Sequence, residues 1–273
     1  MGAVRTPLIA GNWKMNLDHL QAVAFVQKLH WTLKDAKHED GSVEVAVFPP
    51  FTDLRTVQTL LDADKIPFAL GAQDLSPKDS GAYTGDVSGA FLAKLDARYV
   101  IIGHSERREY HHETDEVVAS KVQAALRHGL VPVICVGETA EDLEKYGASA
   151  VPVGQLKTAL ADVPADADIV VAYEPVWAIG TGLVCPADVA QRVHSSIRQR
   201  LRATYDSSVA DSCRILYGGS VNPSVIDGLM RQSDIDGVLV GGASLDATTF
   251  GQIASFHTGW WRTRSFLKKV FRR

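Results

Sequence analysis

Cysteine is scarce in this 273-residue sequence: Cys135, Cys185 and Cys213 are odd in number, far apart and never in a C-x-x-C pair. That spacing excludes a disulfide framework and a four-cysteine zinc site, and the expectation is reduced thiols in a cytoplasmic protein. Strong charge is also missing, since a net charge of −4 is too small to point to a nucleic-acid partner. No apolar run is long enough to span a membrane. The longest, Ile169 to Val184, is broken by Glu174 and Pro175 and falls short of the roughly 18 to 20 residues a helix needs. No basic-then-apolar leader precedes the first strand-like run, so secretion is not expected. The opening Met1-Gly2-Ala3-Val4-Arg5-Thr6 fits the loose N-myristoylation pattern, against which stands Leu8, already in a buried strand.

What is present is an ordinary globular composition, 46% hydrophobic and 22% charged, at a length that allows two small domains or one barrel. Short runs rich in Val, Ile and Leu recur at Leu8–Ala10, Val43–Phe48, Pro67–Leu70, Tyr99–Ile102, Leu130–Val136, Ile169–Ala172, Arg214–Tyr217 and Val238–Val240. Their near-continuous apolar character suits parallel strands covered on both faces. Segments such as Leu17–Leu33, Asp115–His128 and Ala187–Tyr205 lie between them, with apolar residues at three- and four-residue intervals. Eight strand–helix alternations predict an α/β fold, either a closed (β/α)8 barrel or an open doubly wound sheet. The open sheet calls for G-x-G-x-x-G after the first strand, where this chain has Gly11-Asn12-Trp13-Lys14. Gly180-Thr181-Gly182 also lacks the third glycine, so the dinucleotide reading fails and the barrel is favoured.

A barrel of this kind carries its chemistry just past the carboxyl ends of its strands. Those positions hold Asn12 and Lys14, Gln73, His104, Glu138, Glu174, Gly218 to Ser220, and Gly241-Gly242. They supply cations, amides, an imidazole and carboxylates to one mouth. The last two groups are glycine-rich turns, where such barrels often hold a phosphate.

Five segments at these positions, in order, resemble those of the triosephosphate isomerase family. They are Gly11-Asn12-Trp13-Lys14-Met15-Asn16, Ile102-Gly103-His104-Ser105-Glu106-Arg107-Arg108, the run from Ala172 to Gly182, Tyr217-Gly218-Gly219-Ser220-Val221-Asn222, and Val240-Gly241-Gly242-Ala243-Ser244-Leu245. The resemblance covers the chain from about Pro7 to about Phe256 and implies a TIM barrel as one catalytic domain over residues 1–256. It implies interconversion of dihydroxyacetone phosphate and glyceraldehyde 3-phosphate in glycolysis and gluconeogenesis. On this resemblance Glu174 is the base, His104 polarises the carbonyl as a neutral imidazole, and Lys14 places a positive charge near the enediolate and the phosphate. Asn12 donates to substrate oxygens, Glu106 supports the lysine, and Gly180, Ser220, Gly241 and Gly242 bind the phosphate. No metal or organic cofactor is implied, because a carboxylate and fixed dipoles suffice. His111-His112-Glu113 lacks the H-E-x-x-H spacing and reads as a solvated approach to a helix.

The resemblance further implies a lid over Pro175 to Cys185, whose second hinge departs from the family's usual lysine with Leu183-Val184-Cys185. It also implies a homodimer. The Gln73–Gly89 loop plugs into the partner, Thr84 reaches toward the partner's Asn12, and Asp86 stands where glutamate is usual opposite the partner's Arg107. Rival readings are another phosphate-binding barrel, such as an aldolase or an indole-glycerol-phosphate synthase, and a silent sugar-phosphate sensor. A Schiff-base aldolase needs a lysine at a late strand end, where this chain has Glu174, Gly218 and Gly241. A silent sensor is expected to have lost Glu174, His104 or Lys14.

The family pattern runs out after Phe256. From Arg262 onward there are six basic residues and no acidic ones, so +6 of the net −4 lies there and −10 lies on the rest. Wound as a helix, residues 257–273 gather Trp260, Phe266, Leu267, Val270 and Phe271 on one side, with Trp261 astray and the basic residues opposite. This basic amphipathic C-terminal tail suits weak contact with an anionic membrane surface; docking on its own acidic barrel and a frayed end are the alternatives.

Overall fold

A computed structural model describes residues 5–36, 38, 41–179 and 183–256. Eight strands alternate with helices: β1 (Leu8–Asn12), β2 (Glu44–Phe48), β3 (Ala69–Ala72), β4 (Tyr99–Ile102), β5 (Val131–Val136), β6 (Val170–Tyr173), β7 (Arg214–Tyr217) and β8 (Gly237–Val240). The helices are α1 (His19–Asp35), α2 (Leu54–Asp64), α3 (Gly89–Lys94), α4 (Ser105–Tyr110), α5 (Asp115–Arg127), α6 (Ala140–Tyr146), α7 (Ala150–Ala159), α8 (Ala187–Thr204), α9 (Ser207–Ser212), α10 (Ile226–Met230) and α11 (Ala247–Ala254). Every strand pairs in parallel with its neighbours in sequence, and β8 closes onto β1 through Leu8↔Gly237 and Gly11↔Val240. The architecture is the closed TIM barrel, the one of the two predicted α/β architectures that the missing G-x-G-x-x-G favours.

Successive strand residues point to opposite faces, so each strand serves two cores. Leu8, Ala10, Ala46, Phe48, Ile101, Val133, Val170, Ala172 and Leu216 fill the barrel interior. Ile9, Val45, Val47, Val100, Ile134, Val171 and Ile215 pack outward with the buried faces of the helices. That double burial is why the strands read as unbroken apolar runs.

The β4 and β7 ranges agree with the sequence, while β3 lies two residues later than the predicted Pro67–Leu70. Pro67 has no N–H to give a ladder, and β3 pairs with β4 through Gly71↔Tyr99 and Ala72↔Val100, two residues without a strand signature. The first helix likewise starts late. Leu17 sits in the left-handed region at φ 63°, and Asp18 caps α1 by accepting from the N–H groups of Leu20 and Gln21.

The amino end of the barrel is sealed by a polar knot. Glu44 accepts from Tyr99 Oη at 2.8 Å and Arg214 Nη1 at 2.6 Å, and Arg98 lies 2.9 Å away. Burial pushes the Tyr99 hydroxyl up to about 12, so it stays a neutral donor to the carboxylate. The carboxyl end is the open one. Among the described residues no helix is long and apolar enough to cross a membrane.

Candidate active site

A cleft of about 540 Å³ opens at the carboxyl ends of the strands. Asn12, Lys14, His104, Glu174, Ser220, Gly241 and Gly242 all line it, although they come from five different strand ends. Gly180, the remaining candidate phosphate ligand, lies outside the described residues.

An imidazole and a carboxylate meet at the floor of the cleft. His104 Nε2 lies 3.1 Å from Glu174 Oε1, and both side chains are almost fully buried. The start of α4 orients the pair. His104 is its N-cap, and Nδ1 accepts from the backbone N–H of Glu106 at 3.2 Å. Nδ1 is therefore the unprotonated nitrogen, and the proton of the neutral ring sits on Nε2, aimed at Glu174. The N–H of Ser105 donates to Glu174 Oε2 at 2.9 Å. A helix start leaves its first N–H groups without intrahelical partners, and here two of them hold the two side chains.

Bare backbone gives Glu174 its room. A Cβ on Gly137 would lie 1.7 Å from the Glu174 carbonyl oxygen, and one on Gly218 would lie 2.9 Å from Glu174 Cγ. Behind the carboxylate, Cys135 is fully buried, and burial first, then the Glu174 charge, hold its thiol far up and protonated. Gly137, Cys135 and the Ser105 N–H were not singled out from sequence. The start of α4 leaves the Ser105 N–H free, and only the approach of β6 makes Glu174 its acceptor.

Lys14 stands across the mouth. Its backbone is left-handed, φ 53°, and three local bonds hold it there. Its N–H donates to Asn12 Oδ1 at 3.0 Å, while Gln73 Nε2 donates to the Lys14 and Phe48 carbonyls, both at 2.8 Å. Lys14 Nζ donates to Glu106 Oε1 at 2.5 Å, the pairing the sequence suggested. Glu109 and Tyr110, which sequence reasoning passed over, complete the rim on this side.

Glu138 belongs to a different cluster. It is fully buried, and Oε1 accepts from Tyr173 Oη at 2.9 Å and Trp177 Nε1 at 2.7 Å, while its carbonyl accepts from Val176 N–H. Burial raises its carboxyl, and these donors only partly offset that. Glu138 thus ties the segment after Glu174 to the end of β5. Cys185, where the same segment returns to α8, is buried, whereas Leu183 and Val184 before it are exposed.

One expectation is corrected. Glu113 of His111-His112-Glu113 is not solvated: it is buried and accepts from Arg107 and Lys121. The same two cations bind Asp74, at 2.9 Å and 2.6 Å, closing a ring between the root of the third loop, α4 and α5. Arg107 therefore has two acidic partners in its own chain, and Asp86 accepts from Ser76 Oγ at 2.7 Å.

A family model described as triosephosphate isomerase matches residues 7–257. The chain is 62% identical to a triosephosphate isomerase of Leifsonia xyli, over 92% of this chain and 97% of that one. It is 57% identical to one of Streptomyces avermitilis, over 92% and 98%, and 54% identical to one of Mycobacterium tuberculosis, over 93% and 98%.

Proposed function

The chain belongs to the triosephosphate isomerase family, and on that premise we propose how its cleft interconverts dihydroxyacetone phosphate and D-glyceraldehyde 3-phosphate. The reaction moves a proton between adjacent carbons, so it needs a base and a donor for the carbonyl oxygen. Glu174 is the base and His104 the donor. The observation that carries this is the 3.1 Å approach of His104 Nε2 to a carboxylate whose other oxygen is pinned by Ser105 N–H. Substrate binding replaces that approach: the carbonyl oxygen becomes the acceptor for Nε2–H, and Glu174 Oε1 is released toward the carbon. Glu174 takes a proton from C1 of the ketose as negative charge moves onto O2, His104 Nε2 gives its proton to O2 and recovers one from the C1 hydroxyl, and the same carboxyl returns its proton to C2 as O1 becomes the aldehyde oxygen. Lys14, held by Glu106, and Asn12 stabilise the oxygens.

The phosphate is held by Ser220, Gly241, Gly242 and Gly180, the glycines offering N–H groups without a side chain in the way. No metal or organic cofactor enters these steps. Glu174→Asp tests the assignment. It withdraws the carboxylate by about 1 Å, and the expected loss is on the order of 10²-fold in kcat with KM little changed in a coupled assay. Turnover near that of the unaltered protein removes Glu174 from the role of base.

The finer readings of assembly and place are also ours. The catalytic domain is residues 1–256, working in the cytoplasm with its thiols reduced. It works as a homodimer in which the Gln73–Gly89 loop reaches the partner subunit's Asn12 through Thr84. Met15, 94% exposed beside the Lys14 turn that Gln73 holds, and the half-exposed Tyr83 on the loop support that reading. Residues 257–273 add weak, salt-sensitive contact with an anionic membrane surface.

A further inference from the structure

The outer face of α1 carries a stripe, apolar at both ends, that nothing in the described fold covers. Leu20 is 70% and Trp31 58% exposed, and exposed Ala24 and Gln27 lie between them on the same helical line. This line points away from the core side of α1, which is made by Ala22, Phe25, Val26, Leu29 and Leu33. Trp31 is held in place by Lys34, whose ammonium stands 5.0 Å over the ring, and by His30 at 5.9 Å. An ordered, half-exposed indole is a ready hot spot for a docking segment.

The last described helix packs on α1, the helix that carries this stripe. The last helix, α11, crosses α1 closely, because Gly251 leaves its backbone against Thr32 and Leu29, and Phe256 is buried just beyond it. Thr32 is the neighbour of Trp31. Seventeen residues, 257–273, follow Phe256, as many as α1 contains and about 25 Å if helical. Their apolar side runs from Trp260 to Phe271, the same eleven-residue interval as from Leu20 to Trp31, about 16 Å on a helix. Their six basic residues carry +6, and the rest of the chain carries −10. The tail therefore follows the helix that packs on α1, matches the stripe in length, and bears charge opposite to the net charge of the body.

We propose that the outer face of α1 is the seat of the chain's own tail. Residues 257–273 lie along the Leu20–Trp31 stripe with their apolar side down and their basic side in solvent. A seated tail and a membrane-bound tail use the same apolar side, so the seat competes with the membrane contact; the isomerase reading is independent of both.

The experiment combines footprinting with tail cleavage. Hydroxyl-radical footprinting read by mass spectrometry should show Trp31 and Leu20 oxidised several-fold less in the full chain than in a chain truncated after Phe256. Brief trypsin treatment of the full chain should cut the basic tail several-fold faster in Trp31→Glu than in the unaltered protein. Trp31 is exposed, so this variant keeps the fold; unchanged isomerase activity checks that. The same variant should bind vesicles of anionic phospholipid more tightly, because its tail is released. Equal Trp31 oxidation with and without the tail, together with equal tail cleavage in both proteins, overturns the proposal. Protection of Trp31 that vanishes on dilution assigns the seat to a second copy's tail and also overturns it.

Discussion

A carboxylate that is to strip a proton from carbon, the role proposed for Glu174, must be dry, held and unhindered, and separate residues meet each need. Its 2% exposure supplies dryness, Ser105 N–H holds one oxygen, and Gly137 and Gly218 keep side chains out of its path. Gln73 does comparable work for Lys14, since one amide nitrogen donates to two carbonyls, that of Lys14 on the strained turn and that of Phe48 at the end of β2. Gln73→Glu turns that donor into an acceptor facing two carbonyl oxygens. The expected cost is about 2 to 4 kcal/mol, read as a lower denaturant midpoint with an unchanged slope. His194 is the residue most exposed to acid by its burial. It lies between α8 and the inner strands, with Nδ1–H donating to the Ala190 carbonyl at 2.7 Å and Tyr173 edge-on at 5.5 Å. Burial brings it down to about 4, with the Arg198 charge acting the same way and the Ala190 hydrogen bond and the Asp236 charge opposing. An unfolded chain protonates this histidine near 6.5, so its contribution is complete above pH 6.5 and declines as pH falls toward 4, by on the order of 3 kcal/mol. Thermal melts from pH 4 to 7 should show the stability gap between the unaltered protein and His194→Gln shrinking in acid. A constant gap refutes the assignment.

At the scale of elements, the short helix α4 is the organiser. Its first turn fixes His104 and Glu174, its Glu106 holds Lys14, and its Arg107 enters the buried ring with Asp74, Lys121 and Glu113. Burial lifts Asp74, with Lys121 and Arg107 pulling against it. At Glu113 burial also acts upward, but the same two cations outweigh it and hold the carboxyl low. Because Asp74 follows Gln73, this ring joins α4 to the root of the Gln73–Gly89 loop. Asp79 on that loop is further tied to Arg127 and His128 at the end of α5. A loop braced at both its root and its middle is suited to being inserted as a rigid arm. Light scattering should give twice the chain mass, and deleting the tip from Gly81 to Gly85 should yield a monomer of much reduced kcat. A fully active wild-type monomer at low concentration rules the arm out.

For the whole molecule, closure of the sheet separates stability from chemistry. The amino end is plugged by Glu44, Tyr99 and Arg214, and the buried Arg198 binds Asp234 and Asp236 at 2.6 Å. The cleft occupies the opposite end. Helices run antiparallel to the strands they follow, so α11 delivers the chain to the plugged end. Truncation after Phe256 is accordingly expected to leave kcat/KM within about twofold of the full chain in the coupled assay; a larger drop means the tail reaches the mouth.

The strand order and the end of the barrel that bears the site were legible because parallel strands buried on both faces leave unbroken apolar runs, and because the residues just after each run fall in the mouth. Asn12, Lys14, His104 and Glu174 could be placed that way without coordinates. Periodicity reports burial but not partners, so the two-residue offset of β3 stayed hidden behind Gly71 and Ala72. Glu113 misled for the same reason: beside two histidines it reads as solvated, and only two cations from α4 and α5 make its burial tolerable. Which backbone N–H holds Glu174, which nitrogen of His104 keeps the proton and which amide steadies Lys14 were decided by tertiary structure alone. Hydrogen bonds depend on tenths of an ångström between segments from Asn12 to Glu174, and spacing along a chain carries no such distance.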